Sequence, residues 1–263
     1  RCYFFQGRDG RIVFAIPYEQ DFTLIGTTDR DHDGPPGEAR CSEEEAAYLC
    51  AFVSDYFATP VTPEDVVWTY SGVRPLYDDG AGSATAATRD YVLNLEGGAE
   101  EAPLLNIFGG KITTYRRLAE HALEKLGRSF PGMGGGWTAG ATLPGGDFTP
   151  GEVPRLIADL LRDYPFLTPA WADRMIRHYG TEARAIFGTA TGPGDLGRDF
   201  GATLTEAELR WLMNREWAQR ADDVVWRRTK LGLRMSEDQI AALDAFMAAA
   251  SQTGPQAGEE ERA

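Results

Sequence analysis

Residues 104–116 read Leu104-Leu105-Asn106-Ile107-Phe108-Gly109-Gly110-Lys111-Ile112-Thr113-Thr114-Tyr115-Arg116, and this stretch decides the fold. A short apolar run stops at a glycine pair, and a helical pattern begins at once. Tyr115, Leu118, Ala119, Ala122, Leu123 and Leu126 recur at helical spacing along one face. The pattern predicts a buried strand, a tight turn and a helix N-terminus. Backbone N–H groups without partners gather at such a turn, and the helix dipole points the same way. The arrangement suits an anion or an electron-rich carbonyl. Lys111 adds a full positive charge, and Thr113 and Thr114 add hydroxyls. The plainer reading, close strand–helix packing beside a solvated lysine, stands next to it. The stretch is not a Walker A loop: Leu105 stands where that pattern needs glycine, and Ile112 where it needs Ser or Thr.

The chain has 263 residues, enough for one large or two ordinary domains. Hydrophobic residues at 43% and aromatics at 11% suffice for packed cores. A net charge of −14 argues against a nucleic-acid partner, which would need clustered Lys and Arg. Cys2, Cys41 and Cys50 are too few for a disulfide framework and lack metal-ligand spacing, so no metal site is expected and a reducing cytoplasm is the default. Cys41 and Cys50 are expected at either end of one helix. No apolar run approaches the ~18 residues of a membrane span, and no signal peptide is legible. Arg1 runs straight into Tyr3-Phe4-Phe5, so the chain is expected to open inside a strand, as a fragment would.

Strands are expected at 2–6, 11–17 and 22–28, joined by hairpin connections at 7–10 and 18–21. A Gly/Pro/charge-rich loop follows at 29–40. Ser42-x-x-Glu45 is a capping box that opens a helix with Ala46, Leu49, Phe52, Val53 and Phe57 inward. Further strands are expected at 66–73 and 91–95. Beyond a Gly-rich linker at 129–147 the period turns helical throughout, with helices at 152–163, 169–179, 181–189, 205–220, 222–231 and 236–250. Thr168-Pro169 starts one of these; Thr205-x-x-Glu208 and Ser236-x-x-Gln239 are capping boxes for two more. The architecture expected is therefore α+β followed by all-α: 1–128, a linker at 129–147, a helical domain at 148–252 and a frayed tail at 253–263.

Gly192-Pro193-Gly194-Asp195-Leu196-Gly197 matches the dinucleotide fingerprint in letters alone, since no strand precedes it and no helix follows; it reads as a loop. Arg74, pinned by Pro75, and Arg89, at the start of a strand, would converge if their strands pair. Guanidinium forks suit phosphate or carboxylate oxygens, although local pairing on the surface is the commoner fate of such arginines. His32, His121 and His178 share no spacing with one another, and His121 reads as a packed or capping residue. The run from Asp222 to Lys230 reads as an ion-paired helix.

Taken together, Ile25-Gly-Thr-Thr-Asp29, Trp68-Thr-Tyr-Ser-Gly-Val-Arg-Pro-Leu76, Thr88-Arg-Asp-Tyr91 and Phe108 to Glu120 resemble the FAD-dependent, quinone-linked glycerol-3-phosphate dehydrogenases. Leu143-Pro-Gly-Gly146, Tyr164-Pro-Phe-Leu167, Asp195-Leu-Gly197 and Ala221 to Lys230 extend the resemblance in order through the helical part. It implies part of a substrate-binding sheet, the last strand–helix unit of a flavin domain and a C-terminal helical domain. It also implies FAD as cofactor, with Gly109, Gly110, Lys111, Ile112, Thr113 and Thr114 facing the flavin pyrimidine carbonyl and Lys111 as the catalytic cation. Arg74 and Arg89 would hold the phosphate of glycerol 3-phosphate. A quinone acceptor and peripheral attachment at the inner face of the cytoplasmic membrane are implied as well; a homodimer is left open. Family members begin with a Gly-x-Gly-x-x-Gly segment that this chain lacks, so the 263 residues alone are expected to bind FAD poorly and to be inactive. Two other readings share these residues: a non-catalytic helical interaction module, and a related FAD-dependent amine or hydroxy-acid oxidase. The latter would not need two arginines suited to phosphate.

Overall fold

The computed structural model describes residues 1–77, 90–97, 101–127, 129–130 and 132–252. The chain divides into two compact units, Arg1–Ala141 and Thr142–Ala263.

In the first unit β1 (Tyr3–Gln6), β2 (Ile12–Tyr18) and β3 (Phe22–Gly26) form an antiparallel meander, with Phe5 opposite Val13 and Tyr18 opposite Phe22. Strand alternation turns Val13 and Ala15 into the core, nearly inaccessible, and leaves Ile12 and Phe14 on the other face in the open. α1 (Glu43–Ser54) covers the inner side. Its capping box forms as expected: Ser42 Oγ accepts from Glu45 N–H, and Glu45 Oε2 accepts from Ser42 N–H. Cys50 and Val53 are its buried residues, while Cys41 lies ahead of the cap rather than at the helix end. Phe5 stacks on Tyr56 at 4.4 Å between ring centres, joining the meander to the end of α1.

β4 (Val92–Glu96) and β5 (Leu104–Phe108) pair antiparallel, with Val92 opposite Phe108. Gly109 and Gly110 turn the chain, a 3₁₀ turn spans Ile112–Thr114, and α2 (Tyr115–Leu126) follows. Two expectations need correcting here. β5 is not buried, since Leu104, Ile107 and Phe108 are exposed, and among the described residues its recorded neighbour is β4 alone. Residues 66–73 are not a strand. A strand persists where a neighbour completes its hydrogen-bond ladder, and none of the described strands lies beside this segment, which is exposed apart from Trp68.

The second unit is mostly helical: α3 (Val153–Asp163), α4 (Pro169–Tyr179), α5 (Ala183–Phe187), α6 (Glu206–Arg215) and α7 (Glu237–Gln252). Thr168 caps α4 ahead of Pro169, as read from sequence. Leu160, Met175, Ile176, Leu209, Leu212, Leu243 and Met247 fill one core. The unit is not all helix. β6 (Asp199–Gly201) and β7 (Leu204–Thr205) form a small antiparallel ribbon whose Phe200 and Leu204 belong to that core. α6 stops at Arg215 because Trp217 takes a left-handed backbone (φ +56°) and Ala218 N–H closes onto Leu212 O. Asp223–Arg228 is a π-helical turn in place of the expected α-helix, though the Asp223–Arg227 ion pair does form at 3.0 Å. Gly192–Gly197 is a loop with a short 3₁₀ turn, its end capped by Asp195.

Exposed apolar side chains distinguish the units. Phe4, Phe14, Val67, Tyr70, Leu104, Ile107, Phe108 and Trp137 are exposed in the first. In the second, Leu143 and Trp217 are the large hydrophobics left open among the described residues. The helical unit closes its own core; the sheet-bearing unit presents extensive apolar surface.

Candidate functional site

The Gly109-Gly110 turn is where three segments of the first unit meet. Gly109 (φ +66°) and Gly110 (φ +101°) both use backbone conformations that side chains disfavour. A β-carbon on Gly109 would lie 3.4 Å from Pro75 O and 3.5 Å from Asp90 O. One on Gly110 would lie 3.2 Å from Tyr91 Cβ and 3.3 Å from Leu118 Cδ1. The glycines therefore let the turn close against 75–77 on one side and 90–91 on the other. Leu76 N–H donates to Arg74 O at 2.9 Å, folding the chain tightly at Pro75, and Tyr77 packs its ring 5.4 Å from that of Phe108.

Beyond the turn, Lys111 is extended and exposed, and its carbonyl accepts both the N–H (2.9 Å) and the hydroxyl (2.8 Å) of Thr114. That hydroxyl donates to backbone, which leaves its lone pairs as its outward function. The N–H groups of Lys111, Ile112 and Thr113 take no backbone partner among the described residues, as the first donors of a helical segment must. Ile112 is 87% exposed, and Lys111 and Thr113 beside it are exposed as well.

The first turn of α2 carries Arg116 and Arg117, and both pair with Glu120 (3.1 and 3.4 Å). Thr138 also donates its hydroxyl to Glu120, which is the first reason its carboxyl is held below the usual range, ahead of the two arginines. Arg116 and Arg117 thus share one carboxylate, while Lys111 has no carboxylate partner among the described residues. Farther along α2, His121 shares a hydrogen bond with the Tyr91 hydroxyl, tying the helix to the residue next to Asp90.

Arg74 ion-pairs with Asp29 across 45 positions, at 2.9 Å. Its own side chain is 51% exposed and that of Asp29 65%. The expected convergence of Arg74 and Arg89 from two paired strands does not stand in that form, since 66–73 is irregular and Arg89 lies outside the described residues. What brings the Arg74 segment to the turn is the packing of Pro75 against Gly109. Asp29 carried no signal of its own in the sequence beyond its place in the Ile25–Asp29 match, because its partner is set by tertiary structure.

The donor set at Lys111–Thr113 fits an electron-rich ring carbonyl such as that of a flavin: open N–H groups, a helix N-terminus and one cation. Among the described residues no cluster of His, Cys, Asp or Glu is placed to hold a metal ion.

Residues 2–116 match the family model for FAD dependent oxidoreductases, and residues 137–255 match the model for the C-terminal domain of alpha-glycerophosphate oxidase. The chain thus carries an FAD-dependent oxidoreductase domain followed by that helical C-terminal domain. It is similar to the aerobic glycerol-3-phosphate dehydrogenase of Escherichia coli (strain K12), 45% identical over 94% of this chain and 49% of that protein. Glycerol-3-phosphate dehydrogenase of Pseudomonas aeruginosa is 44% identical over 94% of the chain and 48% of the relative. D-erythritol 1-phosphate dehydrogenase of Brucella abortus (strain 2308) is 44% identical over 92% of the chain and 48% of the relative. The two family models and these relatives together fit a fragment of an FAD-dependent glycerol-3-phosphate dehydrogenase, and the chain spans about half the length of the curated relatives it matches.

Proposed function

We propose that this chain supplies the substrate-phosphate site and the flavin-facing turn of an enzyme that oxidises sn-glycerol 3-phosphate to dihydroxyacetone phosphate. The observation that carries the reading is the closure of the Gly109-Gly110 turn against Pro75 and Asp90. It sets the segments bearing Arg74 and leading from Arg89 beside the open donors of Lys111–Thr113.

Each group has a role its chemistry suits. Arg74 and Arg89 bind the phosphate, where planar guanidinium groups offer paired N–H donors to its oxygens. Lys111 and the three open N–H groups would hold the pyrimidine carbonyl of FAD, gathering positive potential there. When bound, FAD supplies the two-electron acceptor for the hydride from C2 and passes the electrons on to a quinone. The β1–β3 meander with the Asp29 loop and the Arg74 segment belongs in this reading to the substrate side, and β5 with α2 to the flavin domain. Quinone, work at the inner face of the cytoplasmic membrane and the cytoplasmic setting rest on the resemblance. No described helix is long and apolar enough to cross a membrane.

A second substrate is favoured by one observation: the relative named D-erythritol 1-phosphate dehydrogenase is as similar as one of those named for glycerol 3-phosphate. Both substrates present a phosphate beside a secondary hydroxyl, and the arginines do not distinguish them. Comparing kcat/KM of the flavin-loaded enzyme to which this chain contributes for the two phosphates and for unphosphorylated glycerol tests the proposal. It predicts a clear preference for glycerol 3-phosphate over both. Equal turnover of glycerol would overturn the phosphate site, and a preference for erythritol 1-phosphate would move the substrate assignment.

A further inference from the structure

The Asp29–Arg74 pair is too exposed to add much to stability, since surface ion pairs contribute little. Its value lies in geometry. The recorded bond uses Nη1 of Arg74, and Nε and Nη2 take no partner among the described residues. A guanidinium gripped at one nitrogen keeps a second edge for an anion.

Asp29 is itself anchored through its neighbour. Thr28 donates its hydroxyl to Glu45 Oε1 at 2.6 Å, and Glu45 Oε2 accepts from Ser42 N–H at 3.0 Å. Glu45 therefore serves two ends at once: it completes the capping box of α1 and it holds the loop that follows β3. The Thr28 bond is the first cause that keeps its carboxyl below the usual range, so the anchor is charged at neutral pH. A packed helix end thus fixes Thr28, Thr28 fixes the backbone at Asp29, and Asp29 grips Arg74. We infer that Asp29 is a positioning residue for substrate binding, holding Arg74 beside the Gly109-Gly110 turn with one guanidinium edge presented to the substrate phosphate. The inference rests on the proposed role of Arg74 and adds the residue through which that role is set.

Four forms of the flavin-loaded enzyme to which this chain contributes decide it: unaltered, Asp29→Asn, Arg74→Ala and the double variant. Each is measured by calorimetry for the Kd of dihydroxyacetone phosphate, which carries the same phosphate and leaves the oxidised flavin unreduced. Asp29 is exposed, so its replacement leaves folding intact. Asp29→Asn should weaken binding about tenfold in the unaltered protein and by less than about twofold once Arg74 is alanine, because contacting groups couple non-additively. Asp29→Glu should restore most of the loss. If Asp29→Asn leaves Kd unchanged or tightens it, or weakens binding equally in both backgrounds, Asp29 does not act through Arg74 and the inference fails while Arg74 keeps its role. If Arg74→Ala itself leaves Kd unchanged, the phosphate-site reading falls and the inference with it.

Discussion

Gly110 lies so close to Tyr91 that a β-carbon at 110 would come within 3.2 Å of the Tyr91 β-carbon, and Gly110 holds φ at +101°. Space and backbone angle both disfavour a side chain there. Gly110→Ala should therefore cost about 1–3 kcal/mol of local strain and lower the flavin content of the purified holoprotein. Gly72→Ala, where a β-carbon meets nothing within 4 Å and φ is ordinary, is the control that should leave flavin content unchanged. Absorbance ratios of flavin to protein in the two variants check this.

Lys111 is an exposed cation at an open helix N-terminus, while the neighbouring Arg116 and Arg117 share the Glu120 carboxylate. Lys111→Met should lower the midpoint potential of the bound flavin, because a nearby positive charge favours the more negative reduced state. Lys111→Arg should retain most of the potential. Spectroelectrochemical titration reads both, independent of turnover.

Within the helical unit Glu208, 1% exposed, accepts two hydrogen bonds from Arg174 (2.6 and 2.7 Å) and one from Tyr179 (2.7 Å). Burial, and then the Glu208 charge, push the Tyr179 hydroxyl far above its ordinary range, so it remains a donor at every accessible pH. Glu208→Ala leaves a buried guanidinium without its carboxylate, its bonds to Thr203 remaining, and should destabilise the unit by about 3–5 kcal/mol in denaturant melts. Tyr179→Phe removes one donor of three and should cost about 1–2 kcal/mol.

Acid should act on the start of α3. Glu152 accepts from Thr149 N–H and from Arg155, and these bonds lower its pKa to about 2 from 4.5. The unfolded chain takes up this proton near its ordinary value, while the folded chain resists until about pH 2. Its stabilising effect is therefore whole above about pH 4.5 and lost as pH falls from there toward 2. Glu152→Gln should flatten the pH dependence of Tm in that window, measured by circular dichroism against the unaltered protein.

Legibility in the sequence followed the range of the interactions. The meander, α1 with its capping box, the strand–Gly-Gly–helix unit and the Thr168-Pro169 start of α4 are local patterns, and they stand where spacing and caps put them. Thr205-x-x-Glu208 shows the limit. Thr205 does cap α6, but the Glu208 carboxylate turns away into the pair with Arg174, a partner no local pattern marks. Residues 66–73 have strand composition without a strand neighbour among the described residues, and pairing decides. At the proposed site, Lys111 and Arg74 are legible by residue type; the Asp29–Arg74 and Thr28–Glu45 contacts are not, because they join positions 45 and 17 apart.

The most direct test is an anaerobic titration, with sn-glycerol 3-phosphate, of the flavin-loaded enzyme to which this chain contributes, following the visible absorbance of the flavin. The account predicts that the substrate bleaches it stoichiometrically, and that Arg74→Ala shifts the titration to much higher substrate concentration. A flavin that stays oxidised in the presence of saturating glycerol 3-phosphate would contradict it.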